Sequence, residues 1–158
     1  MIVRALPSLA KCGKMPTGMM AGGQGEVGGT TREGPSAPTS RRRRVLVVDD
    51  EPALAAMISR MIEDDFDVEV ASDAHGALAN LTASARLPDV ILCDLMMPHV
   101  SGADLYRNAI RAVPDIERRF VFMTGGAFTP WVADFLGTCQ RPCLEKPFAY
   151  DALRRILS

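Results

Sequence analysis

Long apolar runs are missing from this 158-residue chain. None approaches the roughly 20 residues that a membrane-crossing helix needs. The apolar patch at the start, "MIVRALPSLAKCGKM", is broken by Pro7 and Lys11. It therefore lacks the continuous apolar centre of a secretory signal. Cys12 follows Lys11 rather than a small residue, which argues against a lipid anchor. These absences predict a cytoplasmic protein with no membrane insertion. Histidine is nearly absent too: His75 and His99 are the only two. The four cysteines are Cys12, Cys93, Cys139 and Cys143, and neither histidine stands near the Cys139/Cys143 pair. Thiolate metal sites want closer pairs or more ligands, so the cysteines read as reduced thiols used as small hydrophobes. Aromatics make up 6% of the chain, and none interleaves the basic run Arg41–Arg44. The run reads as a solvated lead-in to the first strand, and no direct nucleic-acid partner is expected.

The charge is divided unevenly. Residues 1–44 hold eight basic and two acidic side chains, and residues 45–158 hold ten basic and seventeen acidic ones. Eight of the 13 glycines fall within residues 1–40. That stretch shows no apolar period of 2 or of about 3.6. Residues 1–43 are therefore expected to form a basic, Gly/Pro-rich, disordered arm.

From residue 44 the pattern becomes an alternation. Strands are expected at Val45–Val48, Val68–Ala71, Val90–Cys93, Phe120–Met123 and Pro142–Leu144. Helices are expected at Pro52–Asp64, His75–Arg86, Gly102–Val113, Pro130–Leu136 and Phe148–Leu157. Five strands alternating with five helices imply an α/β fold, a doubly wound five-stranded parallel sheet with helices on both faces. Such sheets bind ligands beyond the carboxyl ends of their strands. At those ends stand Asp49, Asp50 and Glu51, then Asp94, then Thr124 with Gly125 and Gly126, then Lys146.

Adjacent aspartates at the mouth of a buried strand repel each other unless a cation sits with them. Asp49, Asp50 and Asp94 converging on one point suit a hard divalent cation, Mg2+ or Mn2+. A carboxylate beside such an ion can act as a nucleophile on a phosphoryl group. Thr124 can donate a hydrogen bond to a phosphoryl oxygen, and Lys146 can pair with another. Trp131 suits either a partner face or the edge of the core.

The motifs "VLVVDDEP", "VILCDLMMPHVSG", "VFMTGG" and "LEKPF", in this order and spacing, resemble the receiver domain of response regulators in two-component phosphorelay signalling. The likeness covers residues 44–158. It implies a flavodoxin-like sheet of strand order 2-1-3-4-5. It makes Asp94 the phosphoacceptor, and Asp49, Asp50 and Asp94 the metal ligands together with the backbone carbonyl of Met96. Asp50 is the more direct ligand of the acidic pair. Thr124 becomes the switch hydroxyl and Lys146 the phosphoryl-pairing lysine, with a cis Lys146–Pro147 peptide. The donor implied is a histidine kinase or a histidine phosphotransfer protein acting in trans; the downstream target is open. No output domain is expected, and no enzyme activity beyond self-phosphorylation and autodephosphorylation. The chain reads either as a stand-alone receiver or as the receiver of a hybrid histidine kinase. One departure is Cys143, at a position where receivers usually carry an aromatic switch residue. Two alternatives stay open: a non-phosphorylated interaction module on the same fold, and an Asp-nucleophile phosphatase of the haloacid dehalogenase type. The latter wants an acid where Met96 stands.

Overall fold

The computed structural model describes residues 41–126 and 129–158; the arm expected over residues 1–40 lies outside the described residues. The strands are β1 (Arg44–Val48), β2 (Asp67–Ala71), β3 (Val90–Asp94), β4 (Phe120–Gly125) and β5 (Cys143–Lys146). The helices are α1 (Pro52–Ile62), α2 (Ala74–Ala83), α3 (Gly102–Ala112), α4 (Pro130–Cys139) and α5 (Tyr150–Leu157). All strand pairs are parallel, and the order is β2-β1-β3-β4-β5. The five-stranded parallel sheet is the one expected from the alternation of elements, and its order is the one the resemblance implied.

Strand periodicity divides the core in two. Leu46, Val48, Ile91, Cys93, Phe120 and Phe122 pack with side chains of α2, α3 and α4. Val45, Val47, Leu92, Val121 and Met123 pack with Ile58 of α1 and Leu153 of α5 on the other face. Both faces are covered, which is why β1, β3 and β4 read as nearly unbroken apolar runs. β2 is half polar because it is the sheet's edge.

Some boundaries differ from the sequence reading. α2 stops at Ala83, not Arg86: Ser84 leaves the helical region, and its hydroxyl donates to the Arg86 carbonyl at 2.6 Å. β5 starts at Cys143, not Pro142, and runs on to Lys146. Pro142 still contributes its carbonyl, which accepts from Phe122 N at 2.9 Å. A 3-10 turn, Ile116–Arg119, precedes β4 and has no counterpart in the sequence pattern. The Lys146–Pro147 peptide is cis, as the resemblance implied.

The Arg41–Arg44 run does more than lead in. The Arg42 guanidinium donates to the Glu63 carbonyl at the end of α1, and that of Arg43 donates to the Leu157 carbonyl and, at 2.8 Å, to that of Ser158. Helix C-termini leave carbonyls without partners and carry partial negative charge, so guanidinium groups there satisfy both needs. The Arg43 carbonyl also accepts from Asp67 N at 2.9 Å, which extends the β1–β2 ladder. A chain cut before Thr39 and one cut before Arg44 therefore differ. The shorter chain is expected to melt about 2–5 °C lower by differential scanning calorimetry, for a loss of roughly 1 kcal/mol. Equal transitions would mean that these bonds contribute nothing.

Candidate functional site

Parallel register brings the polar residues to one level. Val48 pairs with Cys93, Asp94 with Met123, and Gly125 with Lys146. Asp49, Asp94, Thr124 and Lys146 thus share one edge of the sheet, each at or next to the last residue of its strand. The structure brings together the strand-end residues singled out in the sequence.

Asp49 is 1% exposed. Its Oδ2 accepts from Lys146 Nζ at 2.7 Å, and its Oδ1 accepts from Glu51 N at 3.0 Å. Lys146 Nζ also stands 3.1 Å from Asp94 Oδ1. The ammonium therefore bridges two buried acids. Sequence reasoning looks to a metal for the cation that offsets the aspartates; Lys146 itself supplies part of that charge. Asp50 is exposed, and its carboxylate has no hydrogen bond or ion pair among the described residues. One oxygen from each of Asp49, Asp50 and Asp94 lies within 4.8 Å of the others. That donor set, all carboxylate oxygen and partly open to water, fits a hard divalent cation. Met96, two residues past Asp94, is 50% exposed.

Two buried atoms at this edge lack hydrogen-bond partners among the described residues, Asp94 Oδ1 and Thr124 Oγ1. The approach of Lys146 to Asp94 is an ion pair in distance but does not complete that oxygen's hydrogen bonding. A buried polar atom left unpaired costs about 1–3 kcal/mol. Thr124 Oγ1, with no partner, next to an Asp94 oxygen held only by Lys146, marks a place built for something polar. Burial pushes the Asp94 carboxyl above its ordinary pKa, against the downward pull of the Lys146 charge. Burial works to lower the pKa of Lys146, but the hydrogen bond to Asp49 and the charge of Asp94 outweigh it and hold the ammonium above its ordinary value. At neutral pH the lysine is charged, and it faces two acids.

One positioning residue goes unrecognised in the sequence. Gly102 opens α3, and a Cβ there would lie 2.2 Å from the Asp94 carbonyl oxygen and 2.9 Å from Cys93 Sγ. Only a residue without a side chain lets α3 start against the main chain of Asp94. No periodicity or charge signals this, because the contact belongs to tertiary packing. Gly102→Ala is expected to destabilise the fold by about 2–4 kcal/mol, since the obstacle is backbone and cannot swing aside. Urea titration checks it; a change under about 0.5 kcal/mol would show that the loop yields freely.

Cys143 sits in β5 opposite Phe122 and packs, half-buried, against the α3–α4 side of the core. Burial first, and Cys139 next, push its thiol up to about 11. It is a protonated, apolar-packed thiol at neutral pH, in keeping with the reading of the cysteines as small hydrophobes.

Comparison with known proteins follows the same lines. The response regulator receiver domain, as a family, matches residues 45–158. The transcriptional regulatory protein TrcR of Mycobacterium tuberculosis is 37% identical over 111 residues, which are 70% of this chain and 42% of that protein. A protein-glutamate methylesterase/protein-glutamine glutaminase of Rhodospirillum centenum is 37% identical over 91 residues, 57% of this chain and 23% of that one. The chain spans less than half the length of these curated relatives. Among solved structures, the Vibrio cholerae chemotaxis protein CheY4 superposes with a TM-score of 0.65 at 24% identity, over 73% of this chain and 96% of that one. The receiver domain of a LuxO repressor protein from Vibrio parahaemolyticus gives 0.61 at 28% identity, over 72% of this chain and 85% of that one. No helix among the described residues is long and apolar enough to cross a membrane.

Proposed function

The chain belongs to the response regulator receiver domain family, and from that premise we propose that residues 44–158 form a receiver that takes a phosphoryl group onto Asp94. The donor is the phosphohistidine of a histidine kinase or of a histidine phosphotransfer protein. An Asp94 oxygen attacks phosphorus, the N–P bond breaks, and the imidazole leaves with the bonding pair and takes up a proton. Asp49, Asp50, Asp94 and the Met96 carbonyl would hold a divalent cation, Mg2+ or Mn2+, which would supply screening between the anionic nucleophile and the anionic donor.

The chain's own residues do the rest. Asp50, without a protein partner among the described residues, is the carboxylate readiest to bind the ion. Asp49 holds Lys146 in place. The Lys146 ammonium, already 3.1 Å from Asp94 Oδ1, pairs with charge that collects on the phosphoryl oxygens. The unpartnered Thr124 hydroxyl donates to one of those oxygens. Added Cβ atoms at Gly125 and Gly126 would meet nothing within 4 Å among the described residues. The observation that carries the reading is the unpartnered, buried Thr124 Oγ1 beside the Asp94 carboxylate that the Lys146 ammonium holds at 3.1 Å. Incubation with Mg2+ and acetyl phosphate is expected to add one acid-stable, base-labile phosphoryl group, read by intact-mass spectrometry. No gain in mass under conditions that load other receivers would sink the proposal.

A further inference from the structure

The only two histidines of the chain, His75 and His99, stand on different elements and line one recess of about 460 Å3. His75 is the second residue of α2, and His99 lies in the loop between β3 and α3. Both are exposed. Met97 lines the same recess and is 7% exposed, packed into the core with side chains of α2 and α3. Asp50 and Asp73 complete its charged lining. Asp73 Oδ1 accepts from Gly76 N at 2.8 Å, which fixes the turn that carries His75. His99 has φ 65, in the left-handed region where glycine sits without strain. A histidine at that position brings a ring nitrogen donor to the recess.

We propose that this recess is a site for a soft monovalent metal ion, Cu+, bound by the imidazoles of His75 and His99 and the thioether of Met97. The charge of the recess selects a cation: two carboxylates line it, and no lysine or arginine does. The donor atoms select which cation. Thioethers are soft ligands that favour Cu+, and imidazole suits copper as well. Mg2+ takes oxygen ligands, and the cluster of Asp49, Asp50 and Asp94 already offers it those. Zn2+ sites are built from cysteine, histidine and carboxylate rather than thioether. The two imidazoles are exposed and turn freely about their side-chain bonds, whereas the buried Met97 is held by packing. The thioether therefore fixes the place, and the two rings close on the ion from the α2 and β3–α3 sides. None of the three ligands belongs to the set proposed for phosphotransfer, so either reading can fail without the other.

Carbon-detected NMR of the full chain reads the site directly, because Cu+ is diamagnetic and only two imidazole signals exist to be followed. Titration with Cu+ kept reduced by ascorbate is expected to move both imidazole signals and the Met97 methyl together. Thiols compete for the same ion, and Cys139 and Cys143 are only half-buried, so the place of the shifts decides rather than uptake alone. His75→Ala, His99→Gly and Met97→Leu are each expected to weaken the binding seen at the remaining ligands by about tenfold or more, measured in competition with a chromophoric Cu+ chelator. Each variant is chosen to keep the fold: His75 is exposed, glycine relieves the left-handed backbone at His99, and leucine conserves the volume of Met97. Urea titration confirms it. Imidazole signals that stay in place while Cu+ moves the cysteine signals overturn the proposal. Movement of one imidazole alone, or a Met97→Leu chain that binds Cu+ as tightly as the wild type, overturns it as well.

Discussion

Asp94→Asn is expected to gain no mass from acetyl phosphate and Mg2+ under conditions where the wild-type chain gains one phosphoryl group. The amide keeps the shape of the side chain and loses the nucleophile, so the effect on phosphorylation is total rather than graded. A full gain in the variant would move the acceptor to another residue, with Asp50 first in line. The same substitution carries a second expectation of opposite sign. Burial raises the folded-state pKa of Asp94 above its unfolded value, with Lys146 offsetting only part of that rise. An acid whose pKa rises on folding holds its proton more tightly when folded, so its contribution to stability is lost as pH rises through the folded value. The neutral amide escapes that loss. In chelator, Asp94→Asn is therefore expected to be more stable than the wild-type chain at neutral pH. The gap closes as pH falls from the raised value to the ordinary carboxylate value. A variant less stable at neutral pH would show that the attraction to Lys146 outweighs the burial cost.

What can be read from sequence, and what cannot, follows the range of the interactions involved. β1, β3 and β4 are legible because a strand covered on both faces must be apolar throughout. The polar residues at their ends are legible because a parallel sheet gathers its ligands there. The end of β5 lies two residues beyond the strand expected over Pro142–Leu144: Glu145 and Lys146 are polar and extend no apolar run, yet β4 pairs with both. The largest gap concerns charge. Two adjacent aspartates at the end of β1 point to a missing cation, and a metal ion is the natural candidate. Part of that cation is Lys146, 97 residues further on, bonded to Asp49 at 2.7 Å. No local pattern announces a pair so distant in the chain. The Arg41–Arg44 run is underread for the same reason, because its carbonyl partners close helices elsewhere in sequence. Gly102 matters through what a Cβ would strike, and only packing shows that.

Lys146→Met is expected to be among the most damaging single changes to the fold itself. It removes the ammonium that bridges Asp49 and Asp94, whose side chains are 1% and 7% exposed. A buried charge left without its partner costs about 3–5 kcal/mol. Lys146 is 16% exposed and Asp50 opens the site to water, so about 2–4 kcal/mol is the expected loss by urea titration in chelator. Two controls separate charge from packing. Asp49→Asn in the Lys146→Met background removes one of the stranded charges and is expected to recover most of the loss, whereas a packing defect around the new thioether side chain would leave it in place. Millimolar Mg2+ is expected to raise the stability of Lys146→Met by more than it raises that of the wild-type chain. In the variant no ammonium competes for Asp49 and Asp94, and whatever binds only the folded state stabilises it in proportion to its affinity. Equal Mg2+ shifts in the two proteins would mean that Lys146 and the ion do not share the carboxylates, and no Mg2+ shift in either would remove the acidic cluster's claim to be a metal site.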